Sequence, residues 1–267
     1  MNLLYCGDSN IKDGLFLSIK SILKVEKEAL NIYVLSMDYL NYKKIDSDFI
    51  DYLDTLVKEV NKKSFVKLID MTSIYQEHEC KANKDTLFTP YCMLRLYSDL
   101  VDLPSKILYL DTDVLVYRSF KDFYDINNTN YELVGVLDYY GSHVYKKNPF
   151  KKDYLNSGVL LFNLDLLKKE DILKKARKMC ATKKMLLPDQ SALNILCKHK
   201  LIVDRKYNEQ KAMQSDTVLR HFTTTFKFFP RIKTQKVKPW QINRMHDVLN
   251  CHEFDWLLDE YKEWLQM

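Results

Sequence analysis

Glycine is scarce in this chain, with five in 267 residues. The N-terminal segment Cys6-Gly7-Asp8-Ser9-Asn10 therefore lacks the glycine-rich, lysine-ended loop with which nucleotidyltransferases cradle phosphates. Cysteines are few and never stand as C-x-x-C. Cys6, Cys80, Cys92, Cys180, Cys197 and Cys251 read as reduced, buried thiols. Nowhere do about 18 apolar residues run together, and the N-terminus opens into a strand without a basic region and apolar stretch, so a soluble, cytoplasmic chain is expected. Charge of one sign is not concentrated either. The net charge is +5 and the basic residues scatter among acids, which argues against nucleic acid as partner and suits a small polyanion. Repeats and low-complexity linkers are missing. The economical reading is a single domain over residues 1–267, with a C-terminal lid or helical extension from about residue 222.

What the chain does have is apolar sequence, 46% of residues, in segments whose period switches between two and 3.6. Leu3 to Cys6, Asn31 to Met37, Phe65 to Asp70, Tyr131 to Leu137 and Gly158 to Asn163 read as strands. Helices are expected after the first strand (Leu15, Ile19, Ile22, Leu23), over Tyr39 to Lys63, near Tyr91 to Leu100, over Lys168 to Cys180, and from Phe254 to Leu265. Pro188-Asp189 has the chemistry of a helix start, with Asp189 as a capping acid. Strands alternating with helices predict an α/β fold: a mostly parallel central sheet, Rossmann-like, flanked by helices, with ligands beyond the strand ends.

The run from Lys106 to Val116 places Asp111 and Asp113 inside an otherwise apolar strand. Burying isolated carboxylates is costly, so the pair calls for a compensating cation. Alternate side chains of an extended segment share a side, which lets both acids approach one ion while Thr112 faces away. Oxygen ligands favour magnesium or manganese. A second Asp-x-Asp, Asp46-Ser47-Asp48, lies in polar, helix-like sequence and reads as solvated surface.

These clusters fall in a recognisable order: Gly7-Asp8-Ser9-Asn10, Arg95 within Tyr91 to Leu96, Leu108-Tyr109-Leu110-Asp111-Thr112-Asp113, Tyr154-Leu155-Asn156-Ser157-Gly158, Pro188-Asp189-Gln190, His221, and Lys238-Pro239-Trp240. From Leu3 to about Trp240 the chain resembles glycosyltransferase family 8, which includes bacterial lipopolysaccharide galactosyl- and glucosyltransferases and the glycogenins. The resemblance implies a GT-A fold, a donor that is UDP-glucose or UDP-galactose, and retention of anomeric configuration. It also implies a manganese ion, with magnesium as the alternative, held by Asp111, Asp113 and His221. One imidazole among oxygens favours manganese. Cys6, Asp8 and Asn10 resemble the family's nucleotide contacts. Arg95, Thr112, Asp138, Asn156, Ser157, Asp189 and Gln190 resemble positions around the metal and sugar, where paired donors and acceptors tell hydroxyl epimers apart.

Asp189 and Gln190 are the catalytic candidates by the same resemblance. A neutral amide is a poor nucleophile, which favours same-face substitution with Gln190 stabilising positive charge on the sugar. Thr224 stands where the family has a glycine after the metal histidine, and Lys238 lies farther along than usual, so Phe226 to Arg231 reads as an inserted lid. Of Lys227 and Lys238, the Pro-Trp context favours Lys238 as the diphosphate contact. The expected partners are a nucleotide-sugar donor and a glycan or other acceptor. The C-terminal helix is rich in Asp and Glu, which disfavours anionic membrane. Two other readings stand beside this one: a catalytically silent nucleotide-sugar-binding protein, and a sugar-phosphate nucleotidyltransferase.

Overall fold

A computed structural model describes residues 1–84, 89–139, 153–227 and 233–266. The chain opens with β1 (Asn2–Cys6), α1 (Lys12–Val25), β2 (Asn31–Ser36), α2 (Ser47–Val60), β3 (Phe65–Asp70) and α3 (Thr72–Glu77). A 3-10 helix over Pro90–Tyr97 leads to β4 (Lys106–Leu110), β5 (Val114–Val116), α4 (Lys121–Tyr124) and β6 (Leu133–Leu137). Then come β7 (Leu155–Asn163), α5 (Leu164–Lys169), α6 (Ile172–Thr182), α7 (Pro188–Leu196) and β8 (Lys200–Ile202). The chain ends with β9 (Leu219–His221), β10 (Thr225–Lys227), β11 (Lys233–Gln235), α8 (Ile242–Leu249) and α9 (Asp255–Trp264).

The central sheet has seven strands in the order β3-β2-β1-β4-β7-β6-β8. Its pairings are parallel except those of β7, which runs antiparallel to both β4 and β6. Period-two alternation sends each strand's side chains to two cores. Leu3, Tyr5, Leu108, Leu110, Val159 and Leu161 pack on one face, and Leu4, Ile107, Tyr109, Leu160 and Phe162 on the other. Helices cover both faces, which is why the strands read as continuous apolar runs. On the first face lies α1, which buries Leu15, Ile19 and Ile22, and beside it α9, whose Trp264 stacks on Phe16 at 4.5 Å.

Several expected boundaries shift for local reasons. The helix expected from Tyr39 to Lys63 is confined to α2, because the Asp46 side chain accepts the Phe49 amide at 2.9 Å and caps it there. Asp46 is exposed and paired with Lys12, in keeping with a solvated Asp-x-Asp. Lys168 to Cys180 is two helices, broken where Asp171 takes a left-handed φ of 52°. The segment near Tyr91 is 3-10 rather than α, and β7 starts at Leu155, three residues before the expected Gly158. No disulfide joins the six cysteines, but Cys6 and Cys92 are only partly buried. Among the described residues no helix is long and apolar enough to cross a membrane.

Candidate active site

The acid pair is not inside a strand. β4 stops at Leu110 and β5 starts at Val114, and Asp111-Thr112-Asp113 forms the turn between them, closed by the Val114 amide on the Asp111 carbonyl at 3.1 Å. The turn brings the two carboxylates together by bending the chain rather than by pleating it. It can lie this close to α1 because Gly14 has no side chain: a Cβ there would meet the Thr112 carbonyl at 2.7 Å and the Trp240 ring at 2.8 Å.

His221 arrives from far along the sequence through the small β5–β9 ribbon, in which Val114 pairs with His221 and the Phe222 amide donates to the Asp113 carbonyl at 2.9 Å. Its Nε2 lies 3.3 Å from Asp113 Oδ1 and 3.7 Å from Asp111 Oδ2. The third wall is Gly158 at the start of β7, where a Cβ would sit 2.2 Å from His221 Cε1 and 2.9 Å from Asp111 Oδ2. One donor atom from each of Asp111, Asp113 and His221 falls within 4.8 Å of the others. Two carboxylate oxygens and one imidazole nitrogen converging within this distance fit a divalent cation with mostly oxygen ligands.

Positive side chains complete the surroundings. Lys238 Nζ pairs with Asp113 Oδ2 and donates to the Phe222 carbonyl at 3.2 Å. Burial would raise the Asp113 carboxyl, but Lys238 and His221 outweigh it and hold the group well below the usual carboxylate range. Arg95 is 3% exposed and lies with its guanidinium carbon 3.8 Å from the centre of the Tyr109 ring. It donates to Asp111 Oδ1 at 2.9 Å and to the Ser157 carbonyl at 2.5 Å, and the Tyr109 hydroxyl donates to the same Asp111 oxygen at 2.6 Å.

Asp189 is not a cap. It follows Pro188 in the first turn of α7, where its Oδ2 lies 3.4 Å from Arg95 Nε yet accepts no aligned hydrogen bond. Burial raises its pKa, with the Asp111 charge adding to that and Arg95 opposing it. Gln190 is fully engaged. Its Oε1 accepts the Ser157 amide at 2.9 Å and faces the Ser157 hydroxyl at 3.2 Å, while its Nε2 donates to Asp138 Oδ2 at 3.1 Å. Asn156 donates to the same Asp138 oxygen at 2.9 Å.

These features converge on one end of the sheet, and the comparisons with known proteins agree with them. The family model described as "Glycosyl transferase family 8" matches residues 2–243. The chain belongs to this family. Among the relatives of this family 8 chain is the lipopolysaccharide 1,3-galactosyltransferase of Salmonella typhimurium, 25% identical over 254 residues that cover 90% of this chain and 72% of the relative. A Haemophilus influenzae relative is 28% identical over 216 residues, 78% of this chain, and the alignment spans 63% of that protein's length. Solved structures give the fold. The galactosyltransferase LgtC, crystallised with donor and acceptor sugar analogues, superposes with a TM-score of 0.68 at 18% identity, covering 98% of this chain and 94% of LgtC. The glycosyltransferase GlyE of Streptococcus pneumoniae gives 0.65 at 18% identity over 99% of this chain and 64% of its own. Both are GT-A structures, and the family 8 chain shares their architecture.

Of the residues expected from sequence, Arg95, Asp111, Asp113, Asp138, Asn156, Ser157, Asp189, Gln190, His221 and Lys238 meet here in direct contacts. Cys6 ends β1, close enough to Arg95, Asp111 and Asp189 to feel their charges. Asp8 and Asn10 follow in the next loop, where the Asn10 side chain donates to Asp8 Oδ2 at 2.8 Å. Thr112 contributes its backbone to the turn. The Tyr-rich loop that the sequence places after Leu137, through Pro149, falls mainly outside the described residues, as does most of the lid expected over Phe226 to Arg231; Lys227 is described only as the end of β10.

Two residues were missed. Tyr109 had a signal, since it stands two before Asp111 at the end of a strand. Asn208 had none, being one polar residue in an irregular segment. It is 1% exposed. Its Nδ2 donates to Asn156 Oδ1 at 2.9 Å, which turns its own Oδ1 towards His221 Nδ1 at 3.1 Å. With a proton on Nδ1 held by Asn208, Nε2 would be left to offer its lone pair to an ion bound between His221 and the acids. Asn208→Ala is expected to weaken manganese binding by about 10–100-fold, as loss of a partner to a ligating histidine does. Manganese titration checks the affinity, and nitrogen chemical shifts of His221 check the tautomer; an unchanged tautomer and affinity would refute the role.

Proposed function

We propose that this family 8 chain is a metal-dependent, retaining hexosyltransferase that moves glucose or galactose from a UDP-sugar to an acceptor glycan, of the cell-surface kind. The observation that carries the reading is the Asp111, Asp113 and His221 cluster, set against the buried hydrogen-bonding array of Arg95, Asp138, Asn156, Asp189 and Gln190. Metal ligands alone would fit many hydrolases. A neighbouring row of fixed donors and acceptors is what a polyhydroxylated sugar requires. The nature of the relatives supports the acceptor class, since the Salmonella protein is a lipopolysaccharide galactosyltransferase.

When bound, manganese or magnesium supplies positive charge for the departing diphosphate. The chain's own residues do the rest. Lys238, on the same side as Asp113, offers an ammonium to a diphosphate oxygen and so assists the leaving group. Asp8 and Asn10 lie where the uridine is expected, at the end of β1. Asp189 has a buried carboxylate oxygen without an aligned donor, and a sugar hydroxyl would supply one. Both ends of the Gln190 amide are occupied, which disfavours attack by it and favours same-face substitution, in which it orients Asp138 and Ser157 around the sugar and its dipole steadies positive charge there. A covalent sugar trapped on Asp189 or Gln190 would overturn that mechanism.

The purified chain with UDP-glucose or UDP-galactose and manganese is expected to release UDP slowly by hydrolysis, and faster once an acceptor is supplied. Chelation should stop both. Turnover that persists in chelator would refute the metal requirement, and absence of turnover with either donor would favour a silent nucleotide-sugar-binding protein.

A further inference from the structure

A second group of ligand-bearing side chains stands apart from this site, between α8 and α9. His246 lies in the last turn of α8, His252 in the link, and Asp255 opens α9. His246 Nε2 is 2.7 Å from Asp255 Oδ1, and His252 Nδ1 is 3.3 Å from Asp255 Oδ2. The two imidazoles stack with ring centres 4.4 Å apart and planes inclined by 20°. One donor atom from each of the three residues lies within 4.8 Å of the other two.

The backbone, not the ion pairs, sets this arrangement. Asn250 turns the chain with a left-handed φ of 48°, the Cys251 amide donates to the Met245 carbonyl at 3.1 Å, and the Asp255 amide donates to the His252 carbonyl at 3.1 Å. Below the link, Met245, Leu257 and Leu258 are buried, so both helices are anchored.

We propose that His246, His252 and Asp255 form a zinc-binding site that fastens α8 to α9. Around a tetrahedral zinc, neighbouring ligand atoms stand about 3.3 Å apart, given bonds of about 2.0–2.1 Å. The separations of 2.7 Å to Asp255 Oδ1 and 3.3 Å to Asp255 Oδ2 straddle that value, and since a metal lies in the plane of each ligating ring, the exposed His252 imidazole would turn out of its stack on His246 to bring both nitrogens onto one ion. Two imidazoles and one carboxylate select zinc over magnesium or manganese, the reverse of the two-carboxylate set at Asp111 and Asp113. Water reaches the fourth position, since the side chains of His246, His252 and Asp255 are 32%, 55% and 47% exposed. A structural consequence follows from the path of the chain. Lys238 sits just before α8, and the Gln241 amide donates to its carbonyl at 2.9 Å, so a zinc clasp would steady the segment that presents this lysine.

The site is independent of the proposed glycosyl transfer, and its test is kept separate. Tag-free protein carrying Asp111→Asn and Asp113→Asn, dialysed against zinc, is expected to retain one zinc per chain and little manganese. Cobalt in place of zinc should give the visible absorption of a tetrahedral centre. Adding His252→Ala, at an exposed position, or Asp255→Ala, at a half-buried one, should abolish zinc retention and that absorption. Zinc retained equally by these variants, or not retained by the parent, would overturn the proposal. If the double Asn chain is poorly folded, the otherwise natural chain serves. There His252→Ala must lower the zinc count by one while the manganese count stays as it was.

Discussion

Asp113→Asn is expected to reduce UDP release by roughly a thousandfold or more at saturating donor and manganese. Asparagine keeps the shape of the side chain and can still accept from Lys238, so the turn between β4 and β5 should persist. What disappears is the charge. Asp113 is 8% exposed, and although burial would raise its carboxyl, Lys238 and His221 outweigh that and keep it ionised. On the proposed reading the metal would act on the departing diphosphate, where negative charge grows in the transition state, so losing it should lower kcat more than it raises KM for the donor. Manganese titration must show weakened binding in parallel. A variant that keeps turnover within a few fold of the natural chain would show that Asp113 is not a ligand, whatever the family pattern suggests.

Gly158→Ala should have a comparable effect without removing any donor atom. The added methyl would lie 2.2 Å from His221 Cε1, 2.7 Å from Nδ1 and 2.9 Å from Asp111 Oδ2, distances at which something must move. The imidazole cannot retreat easily, being 3% exposed and tied to Asn208. Nor can the strand, since Gly158 holds the Asp111 amide through its carbonyl at 2.8 Å and its own amide is bound by Asn156 Oδ1 at 3.0 Å. Overpacking of this kind costs about 1–3 kcal/mol of stability, and the displacement of His221 should cost manganese affinity and most of the activity. Denaturant melts and manganese titration on the same sample separate the two losses. If alanine leaves both intact, the close approach of β7 to the acids is not needed.

Much of this was legible in the sequence, and the reasons differ by feature. The strands were legible because both faces of the sheet are buried, so Leu3 to Cys6 and Ile32 to Leu35 appear as unbroken apolar runs. The acid pair was legible because charge beside such a run is unusual. The neighbourhood of Asp111, His221, Asn156 and Gln190 was legible only through the family's order of motifs, since nothing local links residues so far apart. Other features depend on tertiary contacts that leave no local trace. The turn at Asp111-Thr112-Asp113 lies within a sequence that reads as one strand, and β5 leaves the main sheet to pair with β9. The reversal of β7 is invisible in its composition, yet it places Asn156, Ser157 and Gly158, at the beginning of that strand, beside the end of β4. Asn208 needs the folded chain to meet His221 at all.

The contact between Lys238 and Asp113 has one more consequence. Two carboxylates and an imidazole left to themselves would spread apart or draw in whatever salt is abundant. A tethered ammonium prevents both, because it neutralises the pocket from within and is present at an effective concentration that free sodium or potassium does not match. Monovalent ions offer no more charge than the lysine they would have to displace, whereas a doubly charged ion does. On the metal-dependent reading proposed above, the resting chain would thus discriminate by valence before any nucleotide arrives, with its own side chain as the competitor.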